Sequence, residues 1–490
     1  MGGSIGAYRT GAKATLLTLL TAIASLTALI APPDARAASA PLVIDVAAHP
    51  NTGLGEPEVR VDPLDTATVV IGENNSGVSV SHDRGLTWSQ RSLSNPGDNV
   101  LAVRPNGTFV YSSLDGQVHV SNDAGNTWTT VGNWVGAIAA QTQVLASSSL
   151  GQVASRELGC DAVEPEGPVS VVPEQGPGPQ LIGCDRPWLT ADPQTGELYV
   201  SFTDHDDNSG GNGDLWELTD LGCRDTVLVN PVFQCGRQYV ADSTDGGRTW
   251  SYFHAMDSAD YPAGGTGGFS GGPVASHGVL ASAYVASSGP GGCSGCVVFE
   301  SSRDGGVSWT RHPLPVSVDF ATIFTLDATT LFQPYVAADP SRPGRYAVAV
   351  FGAAQTQLLV YVTDDSGASW SGSARLGEAG AVKRYDPWIA YAPTGALGAM
   401  WRTAYSDGSY AAWAAVAPAG VVAFAPPVRL SSQPSPGPVN QLAADDASSV
   451  TLDAEYLHAA WGDRRGGQLG IHYARYDYAA DPNVQALGAG

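Results

Sequence analysis

One eight-residue motif occurs five times in this chain of 490 residues. Its pattern is Ser/Thr-x-Asp-x-Gly-x-Ser/Thr-Trp, and its copies are Ser81–Trp88, Ser121–Trp128, Ser243–Trp250, Ser302–Trp309 and Thr363–Trp370. Each copy suits a tight turn between two strands, because the Asp carboxylate can accept backbone N–H bonds and the Gly permits a positive φ. The Trp then begins the next strand with its ring buried. A chain that repeats such a turn is built from repeated strand units.

A second repeat is an apolar strand that ends in a proline turn. Its copies are Glu56–Pro63, Asp98–Pro105, Arg186–Pro193, Gln333–Pro340 and Asp386–Pro393, with degraded copies at Gly271–Gly278 and Val439–Asp446. A second short apolar strand follows each copy, and a third leads into the turn motif, which predicts three or four strands per unit. The fold class is therefore all-β, a β-propeller of about seven blades. Six and eight blades stay open, because units can be merged and because 130–156 is also strand-like.

The turn motif resembles the Asp box of the sialidase-like (BNR repeat) β-propeller superfamily. This resemblance implies a single propeller domain over residues 41–480. It also implies a glycoside hydrolase, of the exo-α-sialidase type, that acts on an extracellular glycan or glycoconjugate. The same fold serves non-catalytic propellers that bind glycan or protein, and this is the alternative function.

The first 37 residues have the pattern of a secretory signal peptide. Arg9 and Lys13 precede the apolar stretch Ala14–Ala31, and Ala35–Ala37 is a small-x-small cleavage site. A retained membrane anchor is the alternative, although the apolar stretch is short for a span and ends in Pro-Pro. We therefore expect a secreted monomer with no membrane contact after removal of the signal. The formal net charge of −23 repels phosphate backbones, so nucleic acid is not expected as a partner.

Six cysteines in an exported chain indicate disulfides. Local pairing is the preferred arrangement among the fifteen that six cysteines allow. The expected pairs are Cys160–Cys184, Cys223–Cys235 and Cys293–Cys296. A zinc or redox site at Cys293–Cys296 is the alternative, but a second such pair is missing from the sequence.

The repeat also predicts where a functional site lies. In each unit the first strand leaves one face of the propeller and the second strand returns to it. We call this the strand-start face, and the turn motif falls on the opposite face. The candidate catalytic residues on the strand-start face are Asp386, Glu56 and Asp98, since paired carboxylates are what glycoside hydrolysis needs. The alternative is a structural role, in which these charged side chains bind only water or a neighbouring strand.

The resemblance to sialidases suggests further roles on this face. It implies Tyr385 or Tyr405 as a nucleophile and an arginine triad, Arg186, Arg402 and Arg464, that binds a sugar carboxylate. Trp188 and Trp388 supply aromatic faces on which a sugar ring can stack.

One acidic loop is a candidate Ca²⁺ site. Hard oxygen ligands alternate with glycine around Asp204, Asp206 and Asn208, as a Ca²⁺ loop requires. The spacing does not match an EF-hand, and a solvated acidic loop is the alternative. No other cofactor is expected.

Overall fold

The chain is a seven-bladed β-propeller. The computed structural model describes residues 42–53, 55–74, 76–93, 98–137, 184–204, 238–262, 271–286, 288–317, 334–351, 356–437 and 447–489, with the backbone alone at 184–186 and 203–204. They form seven four-stranded antiparallel sheets, which confirms the predicted all-β propeller and selects seven blades. No helix within these ranges is long and apolar enough to cross a membrane.

The blades follow one another along the chain. The first contains β2 (Glu58–Val61), β3 (Val69–Glu73), β4 (Gly77–Ser81) and β5 (Ser89–Arg91); the second, β6 (Asn99–Val103), β7 (Phe109–Ser113), β8 (Gln117–Ser121) and β9 (Thr129–Asn133). The third contains β10 (Cys184–Ala191), β11 (Leu198–Asp204), β12 (Gln238–Ser243) and β13 (His254–Ala255); the fourth, β14 (Val274–Ser276), β15 (Val279–Ala286), β16 (Cys296–Ser302) and β17 (Thr310–Ser317). The fifth contains β18 (Tyr335–Ala338), β19 (Tyr346–Phe351), β20 (Leu358–Thr363) and β21 (Gly372–Leu376); the sixth, β22 (Lys383–Tyr391), β23 (Leu397–Ala404), β24 (Tyr410–Ala417) and β25 (Val428–Arg429).

The seventh blade closes the ring with strands from both ends of the described chain. It contains β26 (Ser448–Leu452), β27 (Tyr456–Asp463) and β28 (Gly470–Asp477), and its outer strand is β1 (Val43–His49). Strand β1 pairs antiparallel with β28, with Val43 opposite Tyr476. A 3₁₀ turn (Pro290–Gly292) and a C-terminal helix (Pro482–Gly488) are further short elements.

The hydrophobic core is divided among the junctions between blades. Val59 and Ile71 of the first blade share a buried cluster with Tyr473 of the seventh. Val110 of the second blade and Leu198 of the third share another. Middle strands are therefore covered on both faces, and all eight residues of β15 are buried. This explains why the repeats read as short apolar runs.

The five repeated turns connect the third and fourth strands of the first five blades. In the first, Asp83 Oδ1 accepts bonds from the backbone N–H of Leu86 (3.0 Å) and Thr87 (2.9 Å), and Trp88 Nε1 donates to the Gly85 carbonyl (3.0 Å). Gly85 has φ +84°, and a Cβ there would lie 2.0 Å from the Tyr473 ring. The turns thus join neighbouring blades on the face opposite the strand starts.

The carboxylates of these turns stay ionised. Bonds from Ser308 and Ser302 lower the pKa of Asp304 to about 2. A group whose pKa is lowered on folding stabilises the protein above its unfolded value and loses that contribution as the pH falls through its folded value. The turn aspartates therefore act as permanent acceptors at neutral pH.

Asp245→Ala should lower the stability of the protein without changing any activity of the folded fraction. Asp245 accepts bonds from Thr249 N (2.9 Å) and Arg248 N (3.0 Å) in the third turn, so its loss should cost about 1 kcal/mol. Urea unfolding followed by tryptophan fluorescence measures this. Glu455→Ala, an exposed acidic residue on the same face, is the control. Loss of activity with unchanged unfolding would place the functional site on the turn face instead.

Candidate functional site

A depression lies at the centre of the strand-start face, where first strands begin. Its space, including the open mouth, is about 380 Å³. The lining residues are Glu56, Pro57, Glu58, Asp98, Asn99, Pro187, Trp188, Trp388 and Ala447. They come from the first, second, third, sixth and seventh blades. We call it the axial depression, because blades that are not neighbours in the ring can meet only near the axis.

One wall of the axial depression is aromatic. The Trp188 and Trp388 rings lie 5.5 Å apart between centroids, and Tyr335 lies 5.0 Å from Trp388 and 6.4 Å from Trp188. These residues lie on the first strands of the third, fifth and sixth blades, each directly after a proline. The tryptophans predicted to bind substrate are therefore together at the axis.

Backbone irregularities bring the two tryptophans to this position. The register of β10 against β11 shifts between Asp185 and Trp188, and that of β22 against β23 shifts between Tyr385 and Trp388. Asp386 lies within the second shift and has φ +44°. Such bulges re-aim side chains and are frequent next to functional sites.

The fourth blade has glycine where the aromatic residues need room. A Cβ on Gly271 would lie 2.4 Å from the Tyr335 ring, and one on Gly272 would lie 2.9 Å from the Trp188 ring. Gly271 and Gly272, at the start of the degraded strand repeat Gly271–Gly278, are therefore needed so that the aromatic rings can pack around the axis.

A second part of the lining, the acidic wall, carries carboxyl groups. Glu56 and Asp98 are partly exposed, and Asn74 Nδ2 donates to Glu56 Oε2 at 2.6 Å. Glu58 is 5% exposed and accepts bonds from Arg60 Nη2 and the Leu101 backbone N–H. Burial raises the pKa of Glu58, against the opposing effect of Arg60. Three carboxyl groups and two tryptophans therefore line one concavity.

Glu58 and Asn99 are lining residues that the sequence did not single out as site residues. Glu58 follows Pro57 just as Trp188 follows Pro187. Its position in the strand repeat is therefore the sequence feature that could have identified it as a lining residue. Asn99 directly follows Asp98 at the start of the second blade.

Several polar atoms around the depression have no hydrogen-bond partner among the described residues. They are Asn99 Oδ1 and Nδ2, Trp188 Nε1 and Asn74 Oδ1, and all are buried. Asn74 is 4% exposed and holds Glu56 through its other amide atom. Buried polar groups are nearly always satisfied, by ordered water or a ligand where the protein provides nothing. These atoms can therefore bind a polar ligand or water.

Asp386 and Arg402 form a buried ion pair. Arg402 Nε donates to Asp386 Oδ2 at 2.8 Å, and Nη2 contacts the same oxygen. Arg402 has no exposed surface, and its guanidinium lies 5.7 Å from the Tyr410 ring centre. Arg402 as a substrate-binding residue and Asp386 as a catalytic residue stay predictions, although the two are buried against each other. Tyr385 is 8% exposed on the same strand.

Among the remaining predicted site residues, Arg464 lies away from the axial depression, and others lie wholly or by their side chains outside the described part. Arg464 begins the loop after β27, where its backbone N–H donates to Ser435 Oγ at 2.8 Å, and it does not line the axial depression. The side chains of Arg186, Asp204 and Cys184 and all of Asp206, Asn208, Cys160, Cys223 and Cys235 lie outside the described part of the structure.

Cys293 and Cys296 are joined by a disulfide, in the pairing that the sequence favoured over a metal site. Within the described ranges, no group of three or more His, Cys, Asp or Glu residues could hold a metal ion.

Comparison with known proteins gives structural neighbours only. A protein of unknown function from Dyadobacter fermentans DSM 18053 is 14% identical, over 89% of this chain and 100% of that chain, with a TM-score of 0.46. A Hadza microbial sialidase is 14% identical, over 84% and 74%, with a TM-score of 0.40. YCF48 bound to D1 peptide is 12% identical, over 90% and 98%, with a TM-score of 0.41. No family model and no curated protein matches the chain.

These neighbours include a glycosidase and a protein with a bound peptide. Identities this low and TM-scores below 0.5 carry no argument about activity. The function must therefore be argued from the axial depression itself.

Proposed function

We propose that the protein is a glycoside hydrolase whose active site is the axial depression. The observation that carries this proposal is the joint lining of one concavity by Glu56, Asp98, Trp188 and Trp388. Aromatic faces stack on sugar rings, and a pair of carboxyl groups is the chemical requirement for cleaving a glycosidic bond.

Glu56 and Asp98 are the proposed catalytic pair. One carboxyl group protonates the leaving oxygen as the bond between the anomeric carbon and that oxygen breaks. The other either takes a proton from the attacking water or first bonds to the anomeric carbon. Both carboxylate oxygens of Glu58 already accept bonds, from Arg60 Nη2 and from the Leu101 backbone N–H. We therefore propose that Glu58 shapes the acidic wall and does not react with substrate. The unpartnered amide of Asn99 and indole N–H of Trp188 can bind sugar hydroxyls.

Sialic acid is a poor fit to this lining. A sugar carboxylate at the acidic wall would face Glu56, Glu58 and Asp98. Arg402 cannot bind that carboxylate while it is buried against Asp386. We therefore propose glycoside hydrolysis without the sialidase specificity that the motif resemblance implies.

We further propose that the protein acts outside the cell, on an extracellular glycan. The signal-like segment 1–37 and the disulfide between Cys293 and Cys296 support export. Ca²⁺ binding at Asp204, Asp206 and Asn208 stays a prediction, to be tested by calorimetric titration of the chelated protein with Ca²⁺.

Glu56→Gln and Asp98→Asn should each reduce kcat on a cleaved fluorogenic glycoside by roughly 10² or more, because each removes a group that transfers a proton or attacks. Asp407→Asn is the control, since Asp407 is an exposed acid on the same face outside the depression. Circular dichroism checks the fold.

A non-catalytic propeller is the alternative outcome. If no member of a glycoside panel is cleaved but glycans bind to wild type and not to Trp388→Ala, the depression is a binding site. If neither cleavage nor binding occurs, the proposal is wrong.

A further inference from the structure

A buried asparagine contacts one of the two proposed catalytic carboxyl groups. Asn74 is 4% exposed, is not among the residues that line the axial depression, and donates from Nδ2 to Glu56 Oε2 at 2.6 Å. We propose that Asn74 is a positioning residue that holds the Glu56 carboxyl group ionised and so gives it the role of base or nucleophile. This inference rests on the proposed function, because it divides the roles of the catalytic pair.

The orientation of the Asn74 amide is the first argument. Nδ2 can only donate, so Glu56 Oε2 accepts this bond. An N–H donated to a carboxylate favours the ionised form over the protonated form. The reverse orientation of the amide would suit a protonated Glu56, which could donate to Oδ1. A base takes a proton and a nucleophile attacks through a lone pair, and both require the ionised form.

The support of the chain at Asn74 is the second argument. The preceding residue, Glu73, is 1% exposed, and its carboxyl group accepts a bond from Ser79 Oγ and contacts His49 Nδ1 at 2.5 Å. Its backbone carbonyl accepts a bond from the Tyr111 hydroxyl at 3.1 Å. These three partners belong to the first, seventh and second blades. A side chain on backbone held in this way can keep a neighbouring carboxyl group in one position.

The cost of Asn74 to the fold is the third argument. Its Oδ1 atom is buried and has no hydrogen-bond partner among the described residues. A buried amide oxygen in this state is unfavourable, whereas a leucine of similar size would leave no polar atom unsatisfied. Residues that break a rule of stability are typical of functional sites. The amide therefore serves Glu56 rather than the packing of the blade.

The roles of the catalytic pair follow from the ionised Glu56. Glu56 takes a proton from the attacking water as the water oxygen bonds to the anomeric carbon. Alternatively, its carboxylate bonds to that carbon first, and water then replaces it and gives its proton to Asp98. In both routes Asp98 first gives a proton to the leaving oxygen as the glycosidic bond breaks. Glu58 accepts bonds at both oxygens, so Asp98 is the acid among the described carboxyl groups of the lining.

Asn74→Leu tests whether the amide acts through Glu56. On a cleaved fluorogenic glycoside we expect kcat to fall by about tenfold or more, with KM within about threefold of wild type. The acidic limb of the kcat/KM profile should move to higher pH by about half a pH unit or more, because the donor that favours the carboxylate is gone. The midpoint of urea unfolding should not fall, since the unpartnered Oδ1 atom is also removed.

Asn99→Leu is the matched control. Both amide atoms of Asn99 lack a hydrogen-bond partner among the described residues, so this variant removes a lining amide that bonds to no carboxyl group. It should raise KM and leave the acidic limb in place. Glu58 and Asp98, the other described carboxyl groups of the lining, are unchanged in both variants. An acidic limb that stays in place in Asn74→Leu, or moves equally in both variants, overturns the inference and leaves the hydrolase proposal intact.

The leaving group separates the acid from the base or nucleophile. Loss of a general acid matters most for a poor leaving group, whereas loss of a base or nucleophile matters for every leaving group. Glu56→Gln should therefore lose activity on fluorogenic and on dinitrophenyl glycosides alike, and Asp98→Asn should regain at least tenfold on the dinitrophenyl glycoside. The reverse pattern would make Glu56 the acid and overturn the inference.

A measurement on the protein alone separates this inference from the hydrolase proposal. The full-length protein is labelled with ¹³C at the glutamate carboxyl carbon and titrated by NMR, and the Glu56 signal is assigned by its absence in Glu56→Gln. Its midpoint should lie higher in Asn74→Leu than in wild type by about half a pH unit or more. That shift without cleavage of any glycoside would show that Asn74 holds the carboxylate, while the hydrolase and the roles assigned to the pair would be wrong. No shift would overturn the inference whatever the activity.

Discussion

Arg402→Leu is expected to lower the free energy of unfolding by about 3–5 kcal/mol, the typical cost of breaking a buried ion pair by removing one member. Arg402 has no exposed surface and makes two contacts to Asp386 Oδ2, while its guanidinium packs near the Tyr410 ring. Its removal leaves the Asp386 carboxylate in a site where only 6% of that residue is exposed. Urea unfolding followed by intrinsic fluorescence measures the change.

The double variant Asp386→Asn/Arg402→Leu is the informative companion. It removes both charges, so it should recover much of the stability lost by Arg402→Leu alone, as replaced buried ion pairs often do. Asparagine is chosen because it tolerates the positive φ of +44° at this position.

Arg342→Ala is the matched control for an exposed pair. Arg342 lies 3.3 Å from Asp364 with 53% of its side chain exposed, so its loss should cost less than about 1 kcal/mol. A loss at Arg402 no larger than this control would mean that the pair is solvated and free to serve a ligand. That outcome would favour the predicted substrate-binding role of Arg402.

The repeats made the fold predictable and indicated the face of the ring on which the candidate site lies. A turn that recurs five times and a strand that recurs beside it specify blades, because each blade needs neighbours to cover its faces. The register shifts in β10 and β22 bring Trp188 and Trp388 into the depression, but strand direction alone predicts that they share one side of the ring with Glu56 and Asp98, although the four are spread over more than 300 residues. No pairwise contact had to be known for this, only the side of the sheet on which each strand starts.

Pairing and burial of charged residues were not predictable in the same way. Arg402 and Asp386 lie on neighbouring strands of one blade, and the register shift between Tyr385 and Trp388 determines that they meet. Sequence spacing does not reveal a bulge, so both residues looked like members of an open rim. Glu58 follows Pro57 in the strand repeat, but its spacing does not reveal that its carboxyl group lines the depression and binds Arg60.

The closure of the ring was also hidden from the sequence. Strand β1 has no repeat motif, because it completes a blade whose other strands lie at the far end of the chain. The degraded copy expected at Val439–Asp446 lies outside the described residues, and the first described strand of that blade is Ser448–Leu452. A strand paired across more than 400 residues leaves no local signal.

Asp45→Asn tests how this closure is held. Asp45 lies on β1 and accepts bonds from the backbone N–H (2.7 Å) and hydroxyl (2.7 Å) of Ser432, beside the sixth blade, and from Arg465 Nη1 (2.6 Å) and Nη2 (3.0 Å) of the seventh. These bonds join three parts of the ring through one carboxylate. Charge-assisted bonds contribute about 1.5–3 kcal/mol each, so we expect a loss of about 2–3 kcal/mol at pH 7, because asparagine can keep only part of this set.

The pH dependence identifies the carboxylate as the cause. Burial acts to raise the pKa of Asp45, but bonds from His472, Arg465 and Ser432 outweigh it and hold that pKa well below its ordinary value. Its stabilisation is therefore complete above the unfolded pKa of about 3.9 and is lost as the pH falls toward the folded value. The difference in unfolding free energy between wild type and Asp45→Asn should be constant from about pH 5 to 7 and shrink below about pH 4. Glu455→Gln should stay close to wild type throughout. A difference that does not depend on pH would mean that the introduced amide disturbs packing, and that the ring is closed by the β1–β28 backbone bonds instead.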